Sequence, residues 1–396
     1  MEYCKLYLNP KKESSLLRFH PWVFSGAIAY TDGKPEEGDV VEVYDSKKNF
    51  LALGHCQIGT ITVRILSFEK LVVDKTFWKK KFENAYTLRK FLGLVGGSSN
   101  NIYRLVHGEG DGLAGLIVDI YANTAVIQAH SIGMHLVRAD LAAALQEVLG
   151  DSLKHVYYKS ESSLPFKADL GVEDGYLIGG EDAGAAAAIE NGMQYNVDWV
   201  RGQKTGFFID QRDNRSLFEK YSRGKKVLNM FCYTGGFSCN AMRGGALQVH
   251  SVDSSAKAID LTNQNIATNF PEDMRHQSFA EDAFKYLVNM PQDYDLILLD
   301  PPAFAKHRNV LRNALQGYKK LNALAFEKIK SGGVLFTFSC SQIVSKEDFR
   351  LAVFSAAAQA GRSVRILHQL AQPADHPINI YHPEGEYIKG LVLYVE

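Results

Sequence analysis

The sequence predicts an α/β protein whose C-terminal half is a parallel sheet wound by helices, preceded by a small β-barrel and a mixed α/β segment. Three observations carry this. From residue 225 onward, near-continuous apolar runs alternate with helical stretches, as strands covered on both faces require. Residues 1–72 instead hold short, loosely alternating runs between turn-rich pieces such as TDGKPEEGD. Residues 73–182 mix the two textures, and GGEDAGAAAAIENG (179–192) reads as a linker or hairpin connection into the last domain, 183–396. A chain of 396 residues fits roughly two or three domains.

In the first stretch, strands are expected at 5–8, 40–44, 50–55 and 61–67. Between the first two lies RFHPWVFSGAI, crowding Arg18, Phe19, His20, Trp22 and Phe24 together. Aromatics interleaved with arginine can stack on bases, although texture alone favours Trp22 and Phe24 as barrel core. Arg18 and Trp22 are retained as candidate substrate contacts. In the second stretch, Asp74 is an expected N-cap for a helix through KTFWKKKFENAYTLRKFL, with Phe82, Ala85, Tyr86 and Arg89 on one face. Strands at 102–106, 116–119 and 124–129, a helix at 135–148 and a strand at 155–159 follow. GEGDGLAG (108–115) leads into a strand and opens no helix, so it reads as a turn rather than a phosphate loop.

Composition narrows the function classes. Basic and acidic residues balance at 44 each, so nucleic-acid binding needs local patches or a dedicated module. The N-terminus has no signal-peptide pattern and no apolar run approaches a membrane span, so no membrane partner is expected. Five scattered cysteines (Cys4, Cys56, Cys232, Cys239, Cys340) form no CxxC pair, which argues against a zinc site or disulfide framework and fits a reducing cytoplasm.

The chemistry concentrates in the last domain. Strands are expected at 226–232, 247–253, 294–300, 333–340, 363–370 and 389–395, a weaker one near 275–279, and helices at 255–270 and 346–362. Ligands of such sheets bind beyond the carboxyl ends of the strands. The first strand ends in FCYTGGFS, placing Phe231, Tyr233, Thr234, Gly235 and Gly236 at a turn into a helix, where the glycines admit close approach of a ligand. Asp253 ends the second strand about 20 residues on, the place of a carboxylate that binds ribose hydroxyls. Asp282 follows the weak third strand, where it can meet an adenine amine or simply cap the helix AFKYL; the order of glycine turn and acids favours the ligand role.

The fourth strand exits through Asp300-Pro301-Pro302-Ala303-Phe304. Two prolines stiffen that exit and hold the Asp300 carboxylate toward a planar substrate on which Phe304 can stack. This feature points to S-adenosylmethionine as donor rather than a dinucleotide. Cys340, within FSCS at the fifth strand's end, would lie where substrate lies. Carbon 5 of a pyrimidine is a poor nucleophile until a thiolate adds at carbon 6, and an acid at ring nitrogen 3, such as Asp300, stabilises the charge that develops. The residues do not reveal which base removes the carbon-5 proton.

Several long segments together resemble the bacterial 23S ribosomal RNA large-subunit methyltransferase I family, whose members make 5-methylcytosine: SLLRFHPWVFSGAI, GQKTGFFIDQRDNR, NMFCYTGGFS, SVDSS, LDPPAF, GYKKLN, TFSCS, ADHPI and YHPEGEYIKG. The resemblance spans essentially the whole chain. It implies an N-terminal PUA domain that binds RNA, a central α/β domain and a Rossmann-like class I methyltransferase domain using S-adenosylmethionine. It also implies that Asp210 and Gln211 lie near the cofactor's methionine end and that Pro301 lines its site. The implied partner is 23S rRNA or a large ribosomal subunit precursor. The family's one-cysteine pattern fits Cys340, since Ala303 stands where other cytosine-C5 families carry a second cysteine. Three alternatives stay open: methylation of an exocyclic amine such as guanine N2, a non-catalytic RNA-binding or ribosome-assembly role, and a small-molecule methyltransferase, which would leave the two N-terminal domains without a job. A homodimer is open too, because a symmetric interface leaves no mark in one sequence.

Overall fold

The computed structural model describes residues 3–165, 170–180, 187–305 and 307–396. Residues 181–186 of the expected linker, and with them the expected boundary at 182, lie outside the described residues. The chain forms two compact units. One comprises Met1–Gly192, Val197–Ile209 and Ala374–Gly385; the other comprises Met193–Asn196, Asp210–Pro373 and Glu386–Glu396.

The first unit opens with a six-stranded sheet in the order Trp22–Phe24, Ile61–Ser67, Phe50–Cys56, Val40–Tyr44, Cys4–Leu8, Ile28–Asp32. Its core gathers Leu6, Leu8, Leu16, Val23, Val41, Val43, Ala52, Val63 and Ile65. Trp22 and Phe24 are not in that core, contrary to the texture of the sequence. In the strand Trp22–Phe24 successive side chains alternate faces, so Val23 takes the inside position while Trp22 is half-buried and Phe24 exposed. The Trp22 indole donates to Glu109 at 2.8 Å.

A five-stranded sheet follows, ordered Gly175–Ile178, His155–Tyr158, Thr124–Ala129, Leu116–Tyr121, Ile102–His107. The helix Lys75–Phe91 begins as expected, with the Asp74 carboxylate accepting from the Phe77 amide. Its buried face carries Phe77, Trp78, Phe82, Ala85 and Arg89. Arg89 is fully buried and satisfied: its guanidinium pairs with Asp111 and also donates to the carbonyls of Arg104 and Asp375. The sequence placed residues 374–385 with the last domain, but they pack in this unit. A Cβ on Gly110 would fall 1.9 Å from the Pro377 carbonyl oxygen, so that segment lies directly on the glycine.

The second unit is built on a seven-stranded sheet. Numbered by sequence as Lys226–Met230, Gln248–Asp253, His276–Ala280, Tyr294–Leu299, Ile329–Ser339, Val364–Leu370 and Lys389–Val395, the strands lie in the order third, second, first, fourth, fifth, seventh, sixth. Alternate residues face opposite helix layers. Leu228, Met230, Ile297, Leu299 and Leu335 pack in the cluster that holds the helices Ala283–Asn289, Leu311–Lys328 and Lys346–Gln359. Phe336 meets Phe218 of the helix Arg212–Tyr221 instead, and Phe218 meets Phe237 of the helix Gly236–Arg243. The expectation of an all-parallel sheet needs correction. The last strand runs antiparallel to both its neighbours. A parallel neighbour needs a crossover, usually a helix, and the link between the sixth and last strands offers only the 3₁₀ turn Pro383–Gly385. Among the described residues no helix is long and apolar enough to cross a membrane.

Candidate active site

The site lies in the second unit, along the carboxyl ends of the central strands. After Lys226–Met230 the backbone turns sharply: Phe231 and Tyr233 take φ of 60° and 47°, and Gly235 takes 76°. Left-handed backbone at non-glycine residues is costly and persists only where neighbours enforce it. Here the Cys232 amide donates to the Val252 carbonyl and the Tyr233 amide to Asp253, while Thr262 and Asn265 donate to the carbonyls of Tyr233 and Thr234. A Cβ on Gly235 would stand 2.7 Å from Thr262 Cγ2, and one on Gly236 would stand 3.0 Å from Arg215 Cδ. Gly235 therefore answers both the backbone conformation and the close approach of the next helix.

Asp253 closes the second strand and is half-buried. One carboxylate oxygen accepts from the Tyr233 amide at 3.1 Å and the other from the Ser255 amide at 2.9 Å, so it is aimed back at the glycine turn. Asp282 caps the helix Ala283–Asn289, accepting from the Lys285 amide at 3.0 Å. The capping role, ranked second by sequence, is thus present; the residue is exposed, and its carboxylate retains acceptor capacity for a ligand.

Asp210, Gln211 and Asp300 come together. Gln211 Nε2 donates to Asp300 Oδ2 at 3.0 Å, and its Oε1 accepts from Asn214 Nδ2 at 2.6 Å, which fixes the amide's orientation. Asp210 Oδ2 accepts from the Tyr387 hydroxyl at 2.7 Å. Its Oδ1 is buried and meets no donor among the described residues. A buried carboxylate oxygen left without a donor is costly, which fits a site for an incoming ammonium donor. Burial, reinforced by the Asp210 carboxylate and opposed by Gln211 and Arg215, pushes Asp300 up to about 7. It is a carboxyl able to hold a proton near neutrality.

Pro301 is buried and Pro302 exposed at the exit of the fourth strand. Phe304 is half-buried. Its ring packs 4.7 Å from that of Tyr318 and lies over Gly317, where a Cβ would be 3.0 Å from it. The chain after the second proline turns the aromatic ring inward against the helix Leu311–Lys328, a direction the spacing of the motif does not specify.

Cys340 directly follows Ile329–Ser339, the neighbouring strand. It is half-buried, with Sγ 3.9 Å from the Pro301 carbonyl oxygen. Burial, then the carboxylates of Asp300 and Asp210, pushes the thiol up to about 12. Cys232 and Cys239 are buried in the protein, 6% and 0% exposed, and fit packing roles. Arg18 and Trp22 belong to the other unit, where Arg18 is exposed and Phe19, 48% exposed, packs against Phe68 and Tyr381.

Two site residues carry no signal in the sequence pattern. Tyr387 orients Asp210, and Lys389, 6% exposed, donates through Nζ to the carbonyl of Ser341, next to Cys340. Both lie in YHPEGEYIKG, a segment whose composition suggests only a turn followed by a strand.

Comparison with known proteins agrees with this geometry. Residues 166–382 match the S-adenosylmethionine-dependent methyltransferase family, and residues 6–68 match a PUA-like domain. A protein of Klebsiella pneumoniae subsp. pneumoniae called ribosomal RNA large subunit methyltransferase I is 36% identical, covering 99% of this chain and 98% of its own length. The protein of that name from Alteromonas mediterranea is 38% identical with the same coverage. Among solved structures, a SAM-dependent methyltransferase of Streptococcus mutans superposes with a TM-score of 0.83 at 23% identity, covering 98% of this chain and 99% of its own, and shows the same fold. At 36–38% identity over nearly its whole length, and with more than half of it matched by the methyltransferase family model, this chain belongs to the ribosomal RNA large subunit methyltransferase I family of S-adenosylmethionine-dependent methyltransferases.

Proposed function

We propose that this protein methylates carbon 5 of a cytosine in large-subunit ribosomal RNA, with Cys340 as covalent nucleophile. The substrate class comes from the named relatives, and 23S rRNA or a large-subunit precursor is the partner this reading expects. The observation that carries the chemistry is that Cys340 and Asp300 follow the ends of adjacent parallel strands, with Cys340 Sγ 3.9 Å from the Pro301 carbonyl oxygen.

Asp210 and Gln211 would hold the methionine end of S-adenosylmethionine, the turn 231–236 and Pro301 its middle, and Asp253 and Asp282 the ribose and adenine. Bound there, the cofactor supplies an electrophilic methyl group. Cys340 adds to carbon 6, forming S–C6 while the C5=C6 pair shifts toward ring nitrogen 3. Asp300, protonated near neutrality, donates to that nitrogen and balances the charge. After methylation a base takes the carbon-5 proton, the electron pair re-forms C5=C6 and expels the thiolate, and ring nitrogen 3 returns its proton to Asp300. Pro302 lines the substrate side. In the first unit Arg18 and Trp22 are the proposed RNA contacts, an arginine at the end of the 3₁₀ turn Leu16–Arg18 and an aromatic on the strand that follows it. The chemistry of the substrate and the free cysteines fit a cytoplasmic setting.

The test is nucleoside analysis of undermethylated 23S rRNA after incubation with methyl-labelled S-adenosylmethionine. Label in 5-methylcytidine that falls at least about 10³-fold in Cys340→Ala, with cofactor affinity unchanged, is the expected result. Label in another nucleoside, or full activity of Cys340→Ala, overturns the covalent assignment and favours amine methylation. Failure to bind S-adenosylmethionine at all favours the non-catalytic alternative.

A further inference from the structure

The proposed nucleophile sits in surroundings hostile to a thiolate. Its sulfur faces the Pro301 carbonyl oxygen at 3.9 Å, and the carboxylates of Asp300 and Asp210 both act on it. Tyr318, whose hydroxyl accepts from Ser339, also feels the cysteine's charge. Only the thiolate is nucleophilic, so this chemistry needs a nearby proton acceptor and a compensating cation.

One lysine answers both needs. Because the last strand runs antiparallel, its first residue, Lys389, pairs with Ser339 at the carboxyl end of the fifth strand. Its Nζ donates to the carbonyl of Ser341, the residue after Cys340. The Ser341 hydroxyl is itself held by the Ala305 carbonyl at 2.6 Å, so this anchor is fixed. Lys389 is 6% exposed and forms no ion pair with a carboxylate among the described residues. The carboxylate that acts on it, Glu386, is ion-paired with Lys346 instead. Burying an ammonium without a carboxylate is unfavourable for the fold, which makes a purely structural role a poor account of it. Burial lowers Lys389 to about 8, opposed by Cys340 and Glu386 and assisted by Lys346, so both its protonation states are accessible near neutrality.

We propose that Lys389 is the proton acceptor and counter-cation of Cys340. In the neutral form its amine takes the thiol proton, so that the S–H bond breaks as an N–H bond forms. The resulting ammonium stands beside the thiolate while it adds to carbon 6. When the methylated base is released the thiolate leaves, and the ammonium returns the proton to sulfur. Lys389 acts through Cys340 and is a positioning residue. The proposal rests on the covalent reading of Cys340 and deepens it.

The test reads the cysteine itself. In the full-length protein, alkylation of Cys340 by iodoacetamide is followed from pH 6 to 10 by mass spectrometry of its peptide. Lys389→Gln keeps a donor for the Ser341 carbonyl but removes the charge. The alkylation rate at pH 8 should fall about tenfold or more, with cofactor affinity unchanged. Lys389→Arg restores a cation that cannot accept a proton, so alkylation should recover while methyl transfer stays low. An alkylation profile in Lys389→Gln that overlays the wild type overturns the proposal. Should Lys389→Gln fail to bind cofactor, Lys389→Arg decides alone: full methyl transfer by that variant overturns the proton-acceptor role. The covalent reading is judged separately. If Cys340→Ala is inactive and the alkylation profile does not move, only the lysine proposal fails. If Cys340→Ala remains active, the covalent reading fails whatever the profile shows.

Discussion

The glycine turn at 231–236 and the exits at Asp300 and Cys340 stand in one row of strand ends, yet they are made of different materials. At the glycine turn the groups aimed at a ligand are backbone and well-bonded carboxylates. Asp253 accepts two amides, Asp282 caps a helix, and the turn is held by Thr262 and Asn265. At the reaction end the groups are poorly solvated and shifted in proton affinity: Asp300 up to about 7, Cys340 up to about 12, Lys389 down to about 8. One end is specified by shape and the other by charge. A rigid cofactor needs a fixed cradle, whereas a reaction that moves protons needs groups poised near the working pH.

The largest effect should come from breaking the shape of the cradle. Gly235→Ala forces a side chain onto φ 76° and into Thr262 Cγ2 at 2.7 Å. We expect about 1–3 kcal/mol lost from stability and at least about tenfold from cofactor affinity, read by thermal melting and calorimetry. Adding Thr262→Ser removes the clashing methyl and keeps the hydroxyl that bonds the Tyr233 carbonyl. The double variant should regain the steric part of the loss and leave the backbone part. Equal cofactor affinity in wild type and Gly235→Ala would mean the cradle is not built by shape.

The charge end is broken by pH. Asp300 holds its proton more tightly in the folded chain than in the unfolded one, whose carboxylate titrates near 3.9. It therefore contributes stability that is complete below that value and lost as pH rises through about 7. Removing the charge with Asp300→Asn should raise the melting temperature at pH 8, and the gain should shrink toward pH 5. Methyl transfer should fall at both values, because an amide has no proton to release to ring nitrogen 3. A gain of equal size at both pH values would show that the Asp300 carboxyl is not perturbed.

The same contrast governs what the sequence reveals. Shape is local, so the glycine turn, the D-P-P exit and the alternation of strand and helix can be read directly, whereas the meeting of Asp210, Gln211, Asp300 and Cys340 is visible only in the fold. Charge is assembled from distant pieces and cannot be read that way. Lys389 reaches the Ser341 carbonyl, one residue from Cys340, only because its strand runs antiparallel between two others. In the parallel sheet that the apolar runs imply, it would start its strand at the opposite end. The missing helix between the sixth and last strands was the available signal. Phe304 shows a related limit, since a motif fixes where an aromatic ring starts but not which neighbour it packs against. Trp22 and Phe24 show the same limit in the first unit, where a strand of three residues gives too little alternation to decide which face is inward.

Asp282 gives the finest separation of the two materials, because it has a structural role and a proposed ligand role at once. As an N-cap, its replacement by alanine costs about 1 kcal/mol by losing the acceptor for the Lys285 amide. Serine caps nearly as well and carries no carboxylate. If Asp282 only caps, Asp282→Ser should match the wild type in both melting temperature and cofactor affinity, and Asp282→Ala should lose stability alone. If it also meets the adenine amine, Asp282→Ser should keep its melting temperature without cofactor and bind cofactor several-fold more weakly, the worth of one hydrogen bond to a charged acceptor. We expect the second pattern. The carboxylate is exposed, so a cofactor amine competes there with water, and the effect should be smaller than that of Gly235→Ala.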